Sequence, residues 1–197
     1  MKKSSNPQRH HFRFMFVAPL LLLTILSGCQ SPGGSQGDTR SNAAQIDREV
    51  NAALSRLYET APTARSLAQK AKGILVFPNV VKAGFIGGAE YGKGAMRRNG
   101  RTTGYYNIVA GSYGLQAGVQ SFGYAMFFMN DAALNSLDSA QGFEVGVGPS
   151  IVVLDEGMGK KATTTTLRDD VYAFVFGQRG LMAGLGLQGS KITRVNP

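Results

Sequence analysis

Apolar and polar residues between positions 43 and 72 follow a helical pattern. Apolar residues recur there at three- and four-residue spacing, the period of an amphipathic helix, and the stripe consists of Ile46, Val50, Ala53, Leu54 and Leu57. Asn42 is suited to cap this helix. Residues 60–62 interrupt the pattern, and a second short helix is expected from Pro62 to Lys72, closed by Gly73. The pattern therefore predicts two N-terminal amphipathic helices.

From residue 73 onward the pattern becomes that of β-strands. Residues 74–77 form a short apolar strand that Pro78-Asn79 should end. Asn99-Gly100 lies between two predicted strands, residues 89–98 and 101–110, and is typical of a tight hairpin turn. Residues 113–121 alternate, which predicts one strand with Val119 on the buried face and Gln120 on the polar face. A short helix capped by Asn130 is expected over 131–139, and further strands at 143–154, 163–167, 171–176 and 181–195.

Glycine is concentrated in this second part of the chain. All but four of the 26 glycines lie between residues 73 and 189, many of them inside predicted strands. Glycine weakens a strand, so its repeated use indicates bends, bulges or close approach of backbones, as in strongly curled sheets. We expect one α+β domain over residues 43–197, in which N-terminal amphipathic helices pack on a glycine-rich, curled or barrel-like antiparallel sheet.

The first 28 residues have the pattern of an export signal. Four Lys/Arg and no acid precede an apolar run over residues 14–26, which is too short for a transmembrane helix. The run ends in Leu26-Ser27-Gly28-Cys29, which resembles the lipobox of bacterial lipoproteins. The resemblance implies that Cys29 becomes the lipidated mature N-terminus. Gln30 in place of Asp favours the outer membrane, with the domain facing the periplasm. Surface exposure remains an alternative.

A Gly/Ser/Pro-rich polar stretch follows the cysteine. Residues 29–42 are expected to be a lipidated flexible tether with a reach of roughly 20 Å. Such a tether would keep the folded domain close to the lipid surface.

Composition narrows the possible chemistry of the domain. The chain has a formal charge of +9, but the first 28 residues hold four of its 21 basic residues, both histidines and no acid, so the remainder carries +5. The residues after the first 28 contain no histidine and one cysteine, Cys29, which excludes a Cys/His zinc site, a histidine-dependent triad and an internal disulfide. The glycine pattern at 184–189 lacks the βαβ context of a dinucleotide site. We expect no enzyme activity, no cofactor, no metal and no nucleic-acid partner.

Basic residues cluster around the predicted hairpin. Lys93, Arg97, Arg98 and Arg101 fall within nine residues without an acid among them. They are candidates for binding anionic lipid head groups. A solvated hairpin end that discourages strand pairing is the alternative. Lys82 and the pair Lys160 and Lys161 are weaker candidates. The first helix is expected to pack on its own sheet, and insertion into a membrane is the alternative that stays open.

Several segments of the chain together resemble the SYLF domain, a lipid-binding module of bacteria and eukaryotes. The similarity runs from about residue 50 to 194, through residues 70–77, 81–94, 104–106, 112–120, 146–150, 163–167, 170–174 and 180–186. Eukaryotic members bind phosphoinositides and some bind actin filaments. For an exported domain, the resemblance implies affinity for anionic phospholipids instead.

The sequence thus predicts a non-enzymatic envelope lipoprotein whose partners are membrane phospholipids and the covalent lipid at Cys29. Two alternatives stay open. The domain could be a structural adaptor that binds another envelope protein, marked by an exposed apolar or glycine-flat patch. It could also carry an apolar ligand inside a barrel.

Overall fold

The computed structural model of the protein describes residues 35–84, 87–113, 118–138, 142–145, 147–155, 168–180 and 189–197. Its helices are α1 (Ser35–Thr60), α2 (Pro62–Ala68) and α3 (Asp131–Leu137). Helix α1 begins directly after the Pro32-Gly33-Gly34 run, so the last eight residues of the predicted tether are helical. Asn42 therefore lies inside the helix and does not cap it, contrary to the prediction. The rest of the tether, the signal segment and Cys29 lie outside the described residues.

The strands form one sheet with the N-terminal helix packed on it, which confirms the α+β prediction. Their bounds are β1 (Gly73–Gly84), β2 (Gly87–Arg98), β3 (Arg101–Tyr113), β4 (Gly118–Phe128), β5 (Phe143–Glu144), β6 (Ile151–Asp155), β7 (Val171–Gly180) and β8 (Lys191–Val195). The order across the curled sheet is β5-β8-β3-β2-β1-β4-β7-β6. Neighbouring strands are antiparallel except β6 and β7, which are parallel.

Several strand boundaries differ from the prediction. Strand β1 continues through Pro78-Asn79, because its register with both neighbours shifts there and a bulge accommodates a proline that cannot donate a ladder hydrogen bond. The predicted strand over 113–121 instead spans the end of β3 and the start of β4. The faces are also the reverse of those predicted, since Gln120 is buried and Val119 is 62% exposed.

Apolar clusters cover both sides of the sheet. On the α1 side, Val50, Ala53 and Leu57 of α1 are completely buried against residues such as Val76 and Phe174. This packing confirms that the apolar stripe of α1 serves the protein's own sheet. On the α3 side, the cluster contains Phe77, Tyr124, Met126, Phe128, Leu134 and Leu137. Both clusters belong to the compact unit of residues 33–197, which therefore has the core needed to fold independently.

The structure confirms the predicted hairpin turn at Asn99-Gly100 and the predicted short helix capped by Asn130. Asn99 and Gly100 have φ values of 49° and 74°, the left-handed conformation that a two-residue hairpin turn requires. The side chain of Asn130 accepts a hydrogen bond from the Ala133 N–H and caps α3. The predicted run over 143–154 is divided between β5 and β6. The predicted strand at 163–167 and most of the 184–189 glycine pattern lie outside the described residues.

Candidate membrane-binding surface

The β2–β3 hairpin places its basic residues at the turn and along one strand. Arg98 and Arg101 face each other across the Asn99-Gly100 turn, and both are exposed. Adjacent strand residues point to opposite sides of a sheet, so Arg98 and Arg101 lie on the α3 side and Arg97 on the α1 side. The structure therefore brings the three arginines to one end of the hairpin, although not to one face.

Arg97 is part of the turn's own hydrogen-bond network. Its guanidinium donates to the Thr102 hydroxyl at 2.8 Å and to the Gly100 carbonyl at 2.9 Å. Thr102 donates in turn to Asp47 of α1 at 2.7 Å, and the Tyr105 hydroxyl donates to the same carboxylate at 3.2 Å. The pKa of Tyr105 is raised, mainly by burial of its hydroxyl and secondly by the nearby Asp47 carboxylate. Asp47 thus joins α1 to the hairpin, a role that nothing in the local sequence pattern indicated.

Lys93 lies farther along β2, on the α1 side of the sheet. It is exposed and pairs in register with Asn79 of β1 and Asn107 of β3. In the described part of the chain, ion pairs join Lys82 to Glu90 and Arg194 to Asp138, and neither includes Lys93, Arg98 or Arg101. These three cations are consequently available to an anionic partner.

Lys82 does not belong to this exposed set. It points to the α3 side and is 3% exposed, and its Nζ lies 3.0 Å from Oε1 of Glu90. An ammonium that is buried and already neutralised cannot meet a head group at the surface. The prediction of Lys82 as a head-group residue is therefore corrected. Its neighbours in sequence could not show this, because the ion pair depends on the register between β1 and β2.

The remaining candidate residues are not placed by the structure. Lys160, Lys161 and Cys29 lie outside the described residues. Of the helices that are described, none combines the length and apolar character that crossing a bilayer needs. Over the same residues, no three His, Cys, Asp or Glu side chains are grouped so that they could hold a metal ion.

Asp170, directly before β7, has a structural role. Its carboxylate accepts hydrogen bonds from the Asn130 amide at 2.7 Å and from the Ser150 N–H at 3.1 Å. These hydrogen bonds, of which the one from Asn130 has the largest effect, lower the pKa of Asp170 below its usual value of 3.8. The carboxylate thereby links the start of α3, the residue before β6 and the start of β7.

The structure thus defines an α+β domain with a curled eight-stranded sheet and exposed cations on its β2–β3 hairpin. Residues 109–196 match the model of the family described as "Ysc84: Las17-binding protein actin regulator". The match covers less than half of the chain and confirms the resemblance to the SYLF domain. The match begins within β3, so Lys93, Arg98 and Arg101 precede the matched residues. A search among curated proteins found no match to the chain.

Proposed function

We propose that residues 33–197 form a non-enzymatic domain that binds the anionic head groups of membrane phospholipids. The observation that carries this proposal is the set of exposed cations on the β2–β3 hairpin, Lys93, Arg98 and Arg101, which have no acidic partner among the described residues. The family match supports a lipid- or actin-binding type of function in general.

The electrostatic free energy that these cations can supply is sufficient to orient a tethered domain. Each Lys or Arg near an anionic membrane contributes about 1 kcal/mol, and the contribution decays within a Debye length. Three such residues would contribute about 3 kcal/mol, which is modest for a free protein. A domain held near the bilayer by a lipid anchor needs no more than this to adopt a preferred orientation.

Carriage of an apolar ligand is less well supported. The α3 side of the sheet, where a barrel would hold its ligand, is filled by side chains of the domain itself. Phe77, Tyr124 and Phe128 are completely buried there, and the Phe77 and Tyr124 rings stack with centroids 6.4 Å apart.

We also propose that Cys29 is lipidated and holds the domain at the periplasmic face of the outer membrane. The support is the Leu26-Ser27-Gly28-Cys29 sequence directly after the apolar run. Metabolic labelling of cells with an alkyne fatty acid should label the wild-type chain and leave Cys29→Ser unlabelled. Equal labelling of both would overturn the anchor. Recovery of the labelled chain in the inner-membrane fraction would overturn the outer-membrane location.

The binding function is tested with residues 33–197 and vesicles sedimented at low salt. We expect phosphatidylglycerol vesicles to bind the domain, and the double variant Arg98→Ala/Arg101→Ala to bind roughly 30-fold more weakly, for a loss of about 2 kcal/mol. The control, Arg40→Ala/Arg168→Ala, removes the same charge from two exposed residues elsewhere. Equal weakening by both double variants would show that only net charge matters and would overturn the role of the hairpin.

A further inference from the structure

Part of the sheet's α1 side is not covered by α1. Under the helix, Val76 of β1 and Ala95 of β2 are completely buried. Farther along the same strands, the same side of the sheet is open. Val81, Tyr91 and Val109 are 39%, 47% and 48% exposed there. Register pairs Tyr91 with Val81 on one side and with Val109 on the other, so the three side chains form a continuous row across β1, β2 and β3.

A second row extends this apolar surface. Ala83 pairs with Ala89 of β2 and with Val119 of β4, and Val119 is 62% exposed. Because neighbouring strands lie about 4.8 Å apart, the two rows span about 15 Å across four strands. We call this surface the α1-side strip and define it as Val81, Ala83, Ala89, Tyr91, Val109 and Val119. A contiguous exposed apolar patch of this kind is typical of an interaction site.

Within the described residues, several cations lie beside the strip. Lys93 follows Tyr91 by two residues on the same side of β2, and Lys191 pairs in register with Val109. On the β4 side, Arg179 pairs with Ser121, the strand neighbour of Val81. Arg179 and Arg56 also line one groove of about 470 Å³ beside the strip, together with Asn79 and Ser121.

On this side of the sheet, α1 carries Asp47, which bonds to the β2–β3 hairpin, and the exposed Glu49 and Glu59. Glu144 lies opposite Lys191 at the far edge of the sheet. Glu90, which belongs to β2, points to the α3 side and pairs with Lys82. Among the described strand residues beside the strip, cations therefore predominate.

This combination fits an anionic bilayer better than another protein copy. Two copies joined face to face through the strip would bring Lys93 and Arg179 near their own equivalents, and like charges oppose such a contact. A bilayer with anionic lipids offers phosphates to the cations and an apolar layer to the valines, and tyrosine is favoured at that boundary. The strip and its surrounding cations therefore match the chemistry of a lipid surface.

We propose that the α1-side strip is the face that rests on the bilayer, with a lipid phosphate in the groove between Arg56 and Arg179. The inference rests on the proposed lipid binding and adds the orientation of the domain. In this orientation Arg98 and Arg101, on the α3 side of the turn, attract the bilayer through the long Debye length of low salt, about 30 Å at 0.01 M, rather than by direct contact.

The chain contains no tryptophan, so a single introduced one reports its own surroundings. We would introduce Tyr91→Trp into residues 33–197 and add phosphatidylglycerol vesicles that contain brominated acyl chains. Val153→Trp is the matched control, because Val153 is 38% exposed on β6 and points to the opposite side of the sheet. We expect both variants to bind, and only the tryptophan at position 91 to shift to shorter wavelength and be quenched.

The outcomes separate the two proposals. Binding without quenching at position 91 would overturn the strip while leaving the lipid-binding function intact. Absence of binding by both variants and by the wild-type domain would overturn both. A second pair of variants covers the case in which Tyr91→Trp does not fold. Val119→Asp should weaken vesicle binding by about fivefold to tenfold, while Val153→Asp should have a smaller effect. Equal effects would overturn the strip.

Discussion

Lys82 and Glu90 form an ion pair within the sheet, with 3.0 Å between Nζ and Oε1 and side chains that are 3% and 2% exposed. The two residues face each other across β1 and β2, and Gln120 of β4 lies on the other side of Lys82. Oε2 of Glu90 and Oε1 of Gln120 are buried without a hydrogen-bond partner. Water solvates this region poorly, so the charge of each residue is stabilised mainly by the opposite charge of the other.

Removal of one partner should be costly for this reason. Lys82→Met keeps most of the side-chain volume but leaves the Glu90 carboxylate buried and unpaired. We expect the free energy of unfolding to fall by about 3–5 kcal/mol, measured by urea denaturation of residues 33–197.

The double variant provides the control for that measurement. Lys82→Met/Glu90→Leu removes both charges and should recover most of the loss, because an apolar pair needs no compensation. If the double variant were as unstable as Lys82→Met, packing rather than charge would explain the effect.

Asp47 should contribute to stability through its two bonds to the hairpin. Asp47→Ala removes the acceptor for Thr102 and Tyr105, and we expect a loss of about 1–2 kcal/mol in the free energy of unfolding. The control is Glu49→Ala, since Glu49 is exposed and accepts its hydrogen bond from Gln45 within the same helix. Equal losses for the two variants would contradict a specific link between α1 and the hairpin.

Asp170 should make the stability of the domain depend on acid pH. Hydrogen bonds from Asn130 and Ser150 lower its folded-state pKa below 3.8. Its contribution is therefore present above pH 3.8 and is lost as the pH falls through the folded-state pKa. Asp170→Asn should unfold at a lower urea concentration than the wild type at pH 7, and the difference should shrink toward pH 2.5. A difference that stayed constant over this range would contradict the account.

Glycine at position 94 should be required by close packing. A Cβ at that position would lie 2.2 Å from the Val76 carbonyl oxygen and 2.6 Å from Cδ1 of Phe77. We expect Gly94→Ala to lower the free energy of unfolding by about 1–3 kcal/mol. Gly111→Ala is the matched control, because a Cβ there meets nothing within 4 Å, and its effect should stay within about 0.5 kcal/mol. If the two variants changed the free energy of unfolding by a similar amount, the intrinsic strand propensity of alanine, and not close packing at position 94, would explain the effect.

Features that a few neighbouring residues encode could be predicted from the sequence. The Asn99-Gly100 turn and the Asn130 cap each depend on a local conformation or a single side chain. The buried stripe of α1 followed from its periodicity. Features that depend on register between distant strands could not be predicted in the same way. The alternation over 113–121 did not show that Gln120 shares a face with Phe122, Tyr124 and Met126, all of which are buried.

The same distinction applies to the site. The concentration of basic residues at the hairpin was visible in the sequence, but the distribution of these residues between two sides of the sheet was not. Burial of Lys82 depends on Glu90 in another strand. The α1-side strip consists of residues from four strands that are separated by up to 38 positions in the chain. No local pattern joins such residues before the sheet is known.

The most direct test of the account is the affinity of residues 33–197 for vesicles of graded composition. We expect the fraction bound at low salt to rise steeply with the phosphatidylglycerol content of phosphatidylcholine vesicles. Binding should then fall as salt shortens the Debye length from about 30 Å at 0.01 M to about 8 Å at 0.15 M. Binding that was absent, or equal for neutral and anionic vesicles at low salt, would contradict the proposal that this domain recognises anionic phospholipid.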